Sequence, residues 1–221
     1  MSNVLIIGHT GGIGRALFDA YVAKGANVTG LSRKSHGLDF VQPETVDTVM
    51  TSIEGPFQRV IIASGALEIN NYAPEKTIQS IKAQGMADQF AVNAIGPALI
   101  LKHIKRICPR RAPAIVAVLS ARVGSIGDNN IGGWISYRAA KAAVNQIVRT
   151  SSIELSRTHP DLSLIALHPG TVATQFSANY TTRHPTETPT NAAQHMIDVI
   201  EKMTPKTTGQ FFDWAGKPVE W

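Results

Sequence analysis

Short apolar runs rich in β-branched residues recur along the chain, with stretches of helical spacing between them. Val4-Leu5-Ile6-Ile7, Arg59-Val60-Ile61-Ile62-Ala63, Ala114 to Leu119 and Leu162 to Leu167 read as strands buried on both faces. Asn27 to Leu31 reads as a further strand, Leu38-Asp39-Phe40 as a short third strand and Gly209 to Trp214 as the last. Between them, Ala16, Leu17, Ala20 and Tyr21 share one helical side that ends at Lys24-Gly25, where a terminal glycine belongs. Val46, Val49, Met50 and Ile53 place a helix over Pro43 to Ile53, stopped by Gly55-Pro56. Further helices are predicted over Glu75 to Gln84, Met86 to Cys108, Tyr137 to Arg157 and Asn191 to Met203, with Gly96-Pro97 loosening the middle of the long one. Strands alternating with helices predict an α/β, doubly wound parallel sheet, a Rossmann fold in three layers, with ligands at the carboxyl ends of its strands. One domain is expected over 1–221, with a polar substrate lid at Gln175 to Thr190, a segment too long for an ordinary connection.

Composition narrows the class. With 43% hydrophobic and 17% charged residues the 221-residue chain is an ordinary globular one. It holds no apolar run near the ~18 residues that span a bilayer, so no membrane partner is expected. Met1 to Ile7 lacks the basic start of a signal peptide, and the lone Cys108 permits no internal disulfide, which together predict a cytoplasmic protein. The net charge of +5 raises nucleic acid as a partner. Its densest basic segment, Lys102, Lys105, Arg106, Arg110 and Arg111, instead falls at a predicted helix end, where cations meet the dipole, and no aromatic residues interleave with it. No nucleic-acid partner and no metal are therefore expected.

The chemistry gathers at the strand ends. After the first strand stands Gly8-His9-Thr10-Gly11-Gly12-Ile13-Gly14, then a helix. A strand, a glycine turn and a helix let backbone N–H groups approach a pyrophosphate closely. No Lys-Ser or Lys-Thr follows, which excludes a P-loop. About 20 residues on, where an NAD site usually carries an acid for the ribose 2′-hydroxyl, stands Arg33 between Ser32 and Lys34. A guanidinium there grips a 2′-phosphate, which favours NADP(H) over NAD(H). Asp39 is placed to meet the adenine edge. Ser64-Gly65 is a second small-residue turn where a cofactor can lie against backbone, and the glycine-rich loop from Ser120 to Ile135 carries Trp134 and can fold over a ligand. Within Ser136-Tyr137-Arg138-Ala139-Ala140-Lys141, Tyr137 and Lys141 lie one helical turn apart. The ammonium is expected to lower the phenol pKa from about 10, making Tyr137 a proton donor to a carbonyl oxygen or an acceptor from an alcohol. Asn93, just before Gly96-Pro97, is placed to hold a water beside a freed carbonyl.

Gly-x-x-x-Gly-x-Gly at 8–14, Asn93, Tyr-x-x-x-Lys at 137–141 and Pro-Gly-x-Val-x-Thr at 169–174 together resemble the short-chain dehydrogenase/reductase family, in order and over nearly the whole chain. Ser120 to Lys141 and Phe211 to Gly216 are similar to its C-factor-type and sniffer-type carbonyl reductase members. The resemblance implies Tyr137 as general acid/base, Lys141 on the nicotinamide ribose, and Asn93 in a proton relay. It implies a cofactor site formed by Gly8, Thr10, Gly12, Ile13, Gly14, Ser32, Arg33, Asp39, Ser64, Gly65, Pro169, Gly170, Val172 and Thr174, the last two at the carboxamide. It also implies a small carbonyl or alcohol substrate and a homodimer or homotetramer. Two departures stand out. The family's Asn-Asn-Ala-Gly turn is Ile62-Ala63-Ser64-Gly65, and the family serine that bonds the substrate oxygen is replaced by Ala121. Ser120 is the first candidate to take over, Ser125 the second; if neither serves, a weakly catalytic signalling or regulatory protein of C-factor type is the alternative.

Overall fold

A computed structural model of the protein describes residues 1–177, 180 and 186–221. Six parallel strands, β1 Asn3–Ile7, β2 Asn27–Leu31, β3 Arg59–Ile62, β4 Ala114–Leu119, β5 Leu162–His168 and β6 Phe211–Asp213, form one sheet in the order β2-β1-β3-β4-β5-β6. The helices are α1 Gly12–Ala23, α2 Arg33–His36, α3 Pro43–Ser52, α4 Ala83–Phe90, α5 Gly96–Leu101, α6 Ile104–Ile107, α7 Ile135–Ser156 and α8 Pro189–Ile200.

The continuous apolar runs are explained by burial on both sheet faces. In β4, every residue of which is buried, Val116 and Val118 join Val144 and Val148 of α7 in one core. The alternate residues Ile115, Ala117 and Leu119 join Leu17 of α1 and Met196 and Ile197 of α8 in the other. Each fully buried Val, Leu or Ile contributes about 1.5–3 kcal/mol, so the sheet is held by its two helical layers more than by strand propensity. Strand order reverses between β1 and β3, which opens a crevice beyond their carboxyl ends.

Three expected elements differ. Leu38-Asp39-Phe40 forms no strand. Gly37, left-handed at φ 68, closes α2, and α3 begins at Pro43, which leaves too little chain to reach a sheet edge. Leu38 and Phe40 fill the core instead, the Phe40 ring against Gly96, where an added Cβ would come within 2.2 Å of it. Glu75 to Gln84 is not a helix: Glu75 is held by α7, Ile78–Ser80 makes a single 3-10 turn, and α4 starts at Ala83. The long helix is divided. A π-helical turn over Ala91–Ile95 precedes Gly96-Pro97, and the chain breaks again between α5 and α6. Among the described residues no helix is long and apolar enough to cross a membrane. Of the expected lid, Ala178, Asn179 and 181–185 lie outside the described residues.

Candidate active site

An open cleft of about 1450 Å³ runs along the carboxyl ends of the strands. Its floor begins at the glycine turn, where close contacts leave no room for a Cβ at Gly8, Gly12 or Gly14. A Cβ on Gly14 would lie 2.1 Å from the Gly8 carbonyl oxygen, one on Gly8 would lie 2.9 Å from Ser64 N, and one on Gly12 would lie 2.6 Å from Thr174 Cγ2. The turn after β1 is thus pressed against the turns after β3 and β5. Helix α1 starts at this point with no side-chain cap and no acid in its first turn. Its first N–H groups open on the cleft beside Gly8, Thr10, Gly11, Gly12, Ile13 and Gly14, a cradle suited to an anion.

Along the β2 side the cleft is lined by Ser32, Arg33, Lys34 and Asp39. The Ser32 hydroxyl caps α2 by accepting from Ser35 N at 3.2 Å, which turns Arg33 and Lys34 to the rim. Asp39 sits in a loop, its Oδ1 accepting from Val41 N at 3.0 Å. From the other side come Ser64, Gly65, Pro169, Gly170, Val172 and Thr174. His168 lines the same wall, and burial, aided by the Arg122 charge, pushes its imidazole down to about 4, so it is neutral at pH 7.

Tyr137 and Lys141 face this cleft from the first two turns of α7, both buried, with Lys141 Nζ 5.7 Å from the Tyr137 ring centroid and donating to the Leu119 carbonyl at 3.1 Å. The expected lowering of the phenol pKa is not found here. Burial pushes the Tyr137 phenol up and the Lys141 ammonium down, the latter to about 8. Desolvation penalises both charged forms and outweighs their attraction at this separation.

That depressed lysine makes a stability prediction. Against an ordinary pKa of 10.5 and a folded value of about 8, the buried charge costs on the order of 3 kcal/mol below pH 8. Replacing it also strands the Leu119 carbonyl, which costs about 1 kcal/mol. Lys141→Met is therefore expected to raise Tm at pH 7 by roughly 5 °C, for a net gain of about 2 kcal/mol. Because the folded pKa is the lower one, wild type recovers this loss as pH rises from about 8 to 10.5, so the advantage must shrink across that window. Thermal melts of both proteins at several pH values measure it; a constant difference counts against a buried charge.

Asn93 and Ser120 both have their side-chain protons engaged within the protein. Asn93 is fully buried and lies behind the cleft wall. Both its amide protons are spent, on Gln89 Oε1 at 2.7 Å and the Ala66 carbonyl at 2.8 Å, while its Oδ1 accepts from Ala66 N at 3.2 Å. Its side chain thereby clamps the turn after β3. Ser120 lines the cleft, but its hydroxyl donates its one proton to Asn145 Oδ1 at 2.6 Å. Ser125 is turned away, accepting from Asp128 N at 3.1 Å. Ala121 does line the cleft.

Several residues enter that the sequence reading leaves out. Gln89 and Asn145 follow the i, i+4 spacing from Asn93 and Lys141, a signal that could have found them. Phe176 and Tyr180 had no signal beyond the polar lid that holds them. They join Trp134 in an aromatic wall around Tyr137, with Trp134–Tyr180 centroids 5.4 Å apart and Tyr137 6.3 Å from both Trp134 and Phe176. Glu68 accepts from the Tyr180 hydroxyl at 2.5 Å, tying this wall to the turn after β3.

The chain is 27% identical to a 1-hydroxy-2-glutathionyl-2-methyl-3-butene dehydrogenase of Rhodococcus sp. (strain AD45), over 100% of both chains. It is 33% identical to the C-signal protein of Myxococcus xanthus, over 62% of this chain and 78% of that one. The crystal structure of NADPH-bound carbonyl reductase from chicken fatty liver superposes with a TM-score of 0.83 at 21% identity, covering 100% of this chain and 94% of that one. The family described as short chain dehydrogenase matches residues 2–185. The chain belongs to the short-chain dehydrogenase family.

Proposed function

We propose that the protein is an NADP(H)-dependent oxidoreductase that reduces an aldehyde or ketone, or runs in reverse on an alcohol, with Tyr137 as general acid/base. The observation that carries this is the opening of one cleft onto both the uncapped start of α1 and the buried Tyr137–Lys141 pair. When bound, the dinucleotide supplies or accepts the hydride. Hydride arrival at a carbonyl carbon leaves an alkoxide, which the Tyr137 phenol, held protonated by burial, quenches by giving up its proton. Lys141 anchors the ribose and, in its charged form, stabilises the phenolate left behind. The uncapped N–H groups of α1 hold the pyrophosphate, and the wall of Trp134, Phe176 and Tyr180 keeps water from the reacting carbonyl. Asn93 and Gln89 act by holding the Ala66–Leu67 backbone in place.

Arg33 and Lys34 at the rim, with no acid beside them on α2, support NADP(H) over NAD(H), as does the NADPH in the chicken enzyme. Charge-assisted bonds to a phosphate are worth about 1.5–3 kcal/mol. Arg33→Ala is therefore expected to raise the NADPH Kd about thirtyfold and leave that for NADH unchanged, read by titrating NAD(P)H fluorescence. Equal loss for both dinucleotides would show that Arg33 does not read the 2′-phosphate.

The whole reading is tested by following NADPH oxidation over a panel of aldehydes, ketones and quinones. A second reading, a weakly catalytic regulatory protein, is favoured by Ala121 and by the spent proton of Ser120. NADPH binding without turnover on any carbonyl would select it.

A further inference from the structure

Helix α7 carries Tyr137 and Lys141 in its first two turns, yet it has no cap of its own. The residue before it, Trp134, is left-handed at φ 52 and makes no side-chain cap bond, and the first turn contains no acid. Gly132 and Gly133 are also at positive φ, 70 and 67, so the chain enters the helix through three successive residues in the sparsely populated region, one of them a tryptophan.

What holds this entry comes from far away in the chain. Glu75 is buried, 8% exposed, although it is a carboxylate in a loop. One of its carboxylate oxygens accepts from the Ser136 backbone N–H at 3.1 Å and the other accepts from the Ser136 hydroxyl. Its own backbone carbonyl accepts from Trp134 N–H at 2.5 Å. A single residue thus grips the positions before and at the first turn, on either side of the helix start. A negative charge at a helix N-terminus is favourable, and two bonds to one residue set rotation as well as height. Helical side chains lean toward the N-terminus, so the Tyr137 ring lies over the turn that Glu75 holds.

We propose that Glu75 is a positioning residue for the reaction, acting as the missing cap of α7 and setting where the Tyr137 phenol and the Trp134 ring stand in the cleft. This rests on the oxidoreductase reading above. Glu75 bonds to Ser136 and Trp134, the residues on which the aim of Tyr137 and the aromatic wall depend. A displacement of about 1 Å at a reacting group can cost about a hundredfold in rate, so even a small slip of this turn is visible in kcat.

Glu75→Gln keeps the shape but removes the negative charge at the helix start and one of the two acceptors, so that the Ser136 hydroxyl must turn round to accept from the amide N–H₂. Its kcat for NADPH-dependent carbonyl reduction is expected to fall at least about tenfold, with the carbonyl KM and the NADPH Kd little changed. Ser136→Ala keeps the backbone bond and is expected to retain most activity. Trp134 emission, isolated by subtracting Trp134→Phe in each background, is expected to shift to the red in Glu75→Gln as the ring loses its place. Unchanged kcat and unchanged emission overturn the proposal. So does a kcat loss that vanishes once corrected for the folded fraction in a thermal melt, since a purely structural cap does no more than that. If wild type reduces no carbonyl at all, the oxidoreductase reading fails on its own account, and the emission shift alone decides for or against the positioning role.

Discussion

Tyr137→Phe is expected to lower kcat for carbonyl reduction about a thousandfold while leaving NADPH affinity unchanged. The ring stays, so the edge contacts with Trp134 and Phe176 at 6.3 Å persist, and only the hydroxyl is lost. General acid catalysis by a positioned side chain is worth about 10²–10⁴ in rate, and the other expected catalytic side chains have their protons engaged elsewhere. Ser120 donates to Asn145, both amide protons of Asn93 are bonded, and Lys141 gives one proton to the Leu119 carbonyl and, in the reading proposed above, its others to the ribose. Among the described residues facing the carbonyl site, Tyr137 is the acid the geometry offers. Stopped-flow NADPH oxidation with the best carbonyl of the panel, paired with a fluorescence titration of NADPH, separates the two effects. A variant that keeps a tenth or more of wild-type kcat would move the proton transfer elsewhere. A pH titration of tyrosine absorbance, taken as the difference between wild type and Tyr137→Phe without cofactor, adds a sign: with the phenol pKa pushed above its usual value, ionisation of Tyr137 must not appear below the ordinary tyrosine range of about 10.

The parts of the site that could be read along the chain are those where a local pattern has one physical meaning. Gly8, Gly12 and Gly14 sit where only glycine fits, because backbone or a packed threonine lies within 3 Å of any added Cβ. Tyr137 and Lys141 share a face through helical spacing alone. The β-branched runs became β1, β3, β4 and β5 because burial on two faces needs no distant information. What stayed hidden was decided by distant partners. Nothing near Glu75 tells that its carboxylate is bonded to Ser136, 61 positions away. Leu38 and Phe40 look like strand residues, but Gly96 leaves a gap that the Phe40 ring fills. The bonds of Asn93 to Ala66 and of Ser120 to Asn145 likewise join positions 27 and 25 apart, and a hydroxyl, with one proton, gives it to one acceptor.

Ala121→Ser is expected to raise kcat for carbonyl reduction by up to about a hundredfold, which would make the variant a better enzyme than the natural chain. Ala121 lines the cleft at the end of β4, in extended backbone at φ −148 and ψ 147, while Ser120 beside it points to α7 and Asn145. Successive residues at a strand end face opposite sides, so with Ser120 bonded to Asn145 a hydroxyl at position 121 is the one aimed at an oxygen bound next to Tyr137. One preorganised donor on a developing oxyanion is typically worth about 2.7–4 kcal/mol. The added Oγ needs little space at an open cleft wall, and the Tyr137–Lys141 pair is already in place to use it. Ser120→Ala serves as the control. Its hydroxyl is spent on Asn145, so kcat is expected to stay near the wild-type value, with a modest fall in Tm from the lost buried bond. Steady-state rates for the three proteins on one carbonyl decide the matter. A gain in Ala121→Ser with no loss in Ser120→Ala means that this chain works with the phenol alone. The reverse pattern, no gain and a large loss, means that Ser120 leaves Asn145 to serve the substrate.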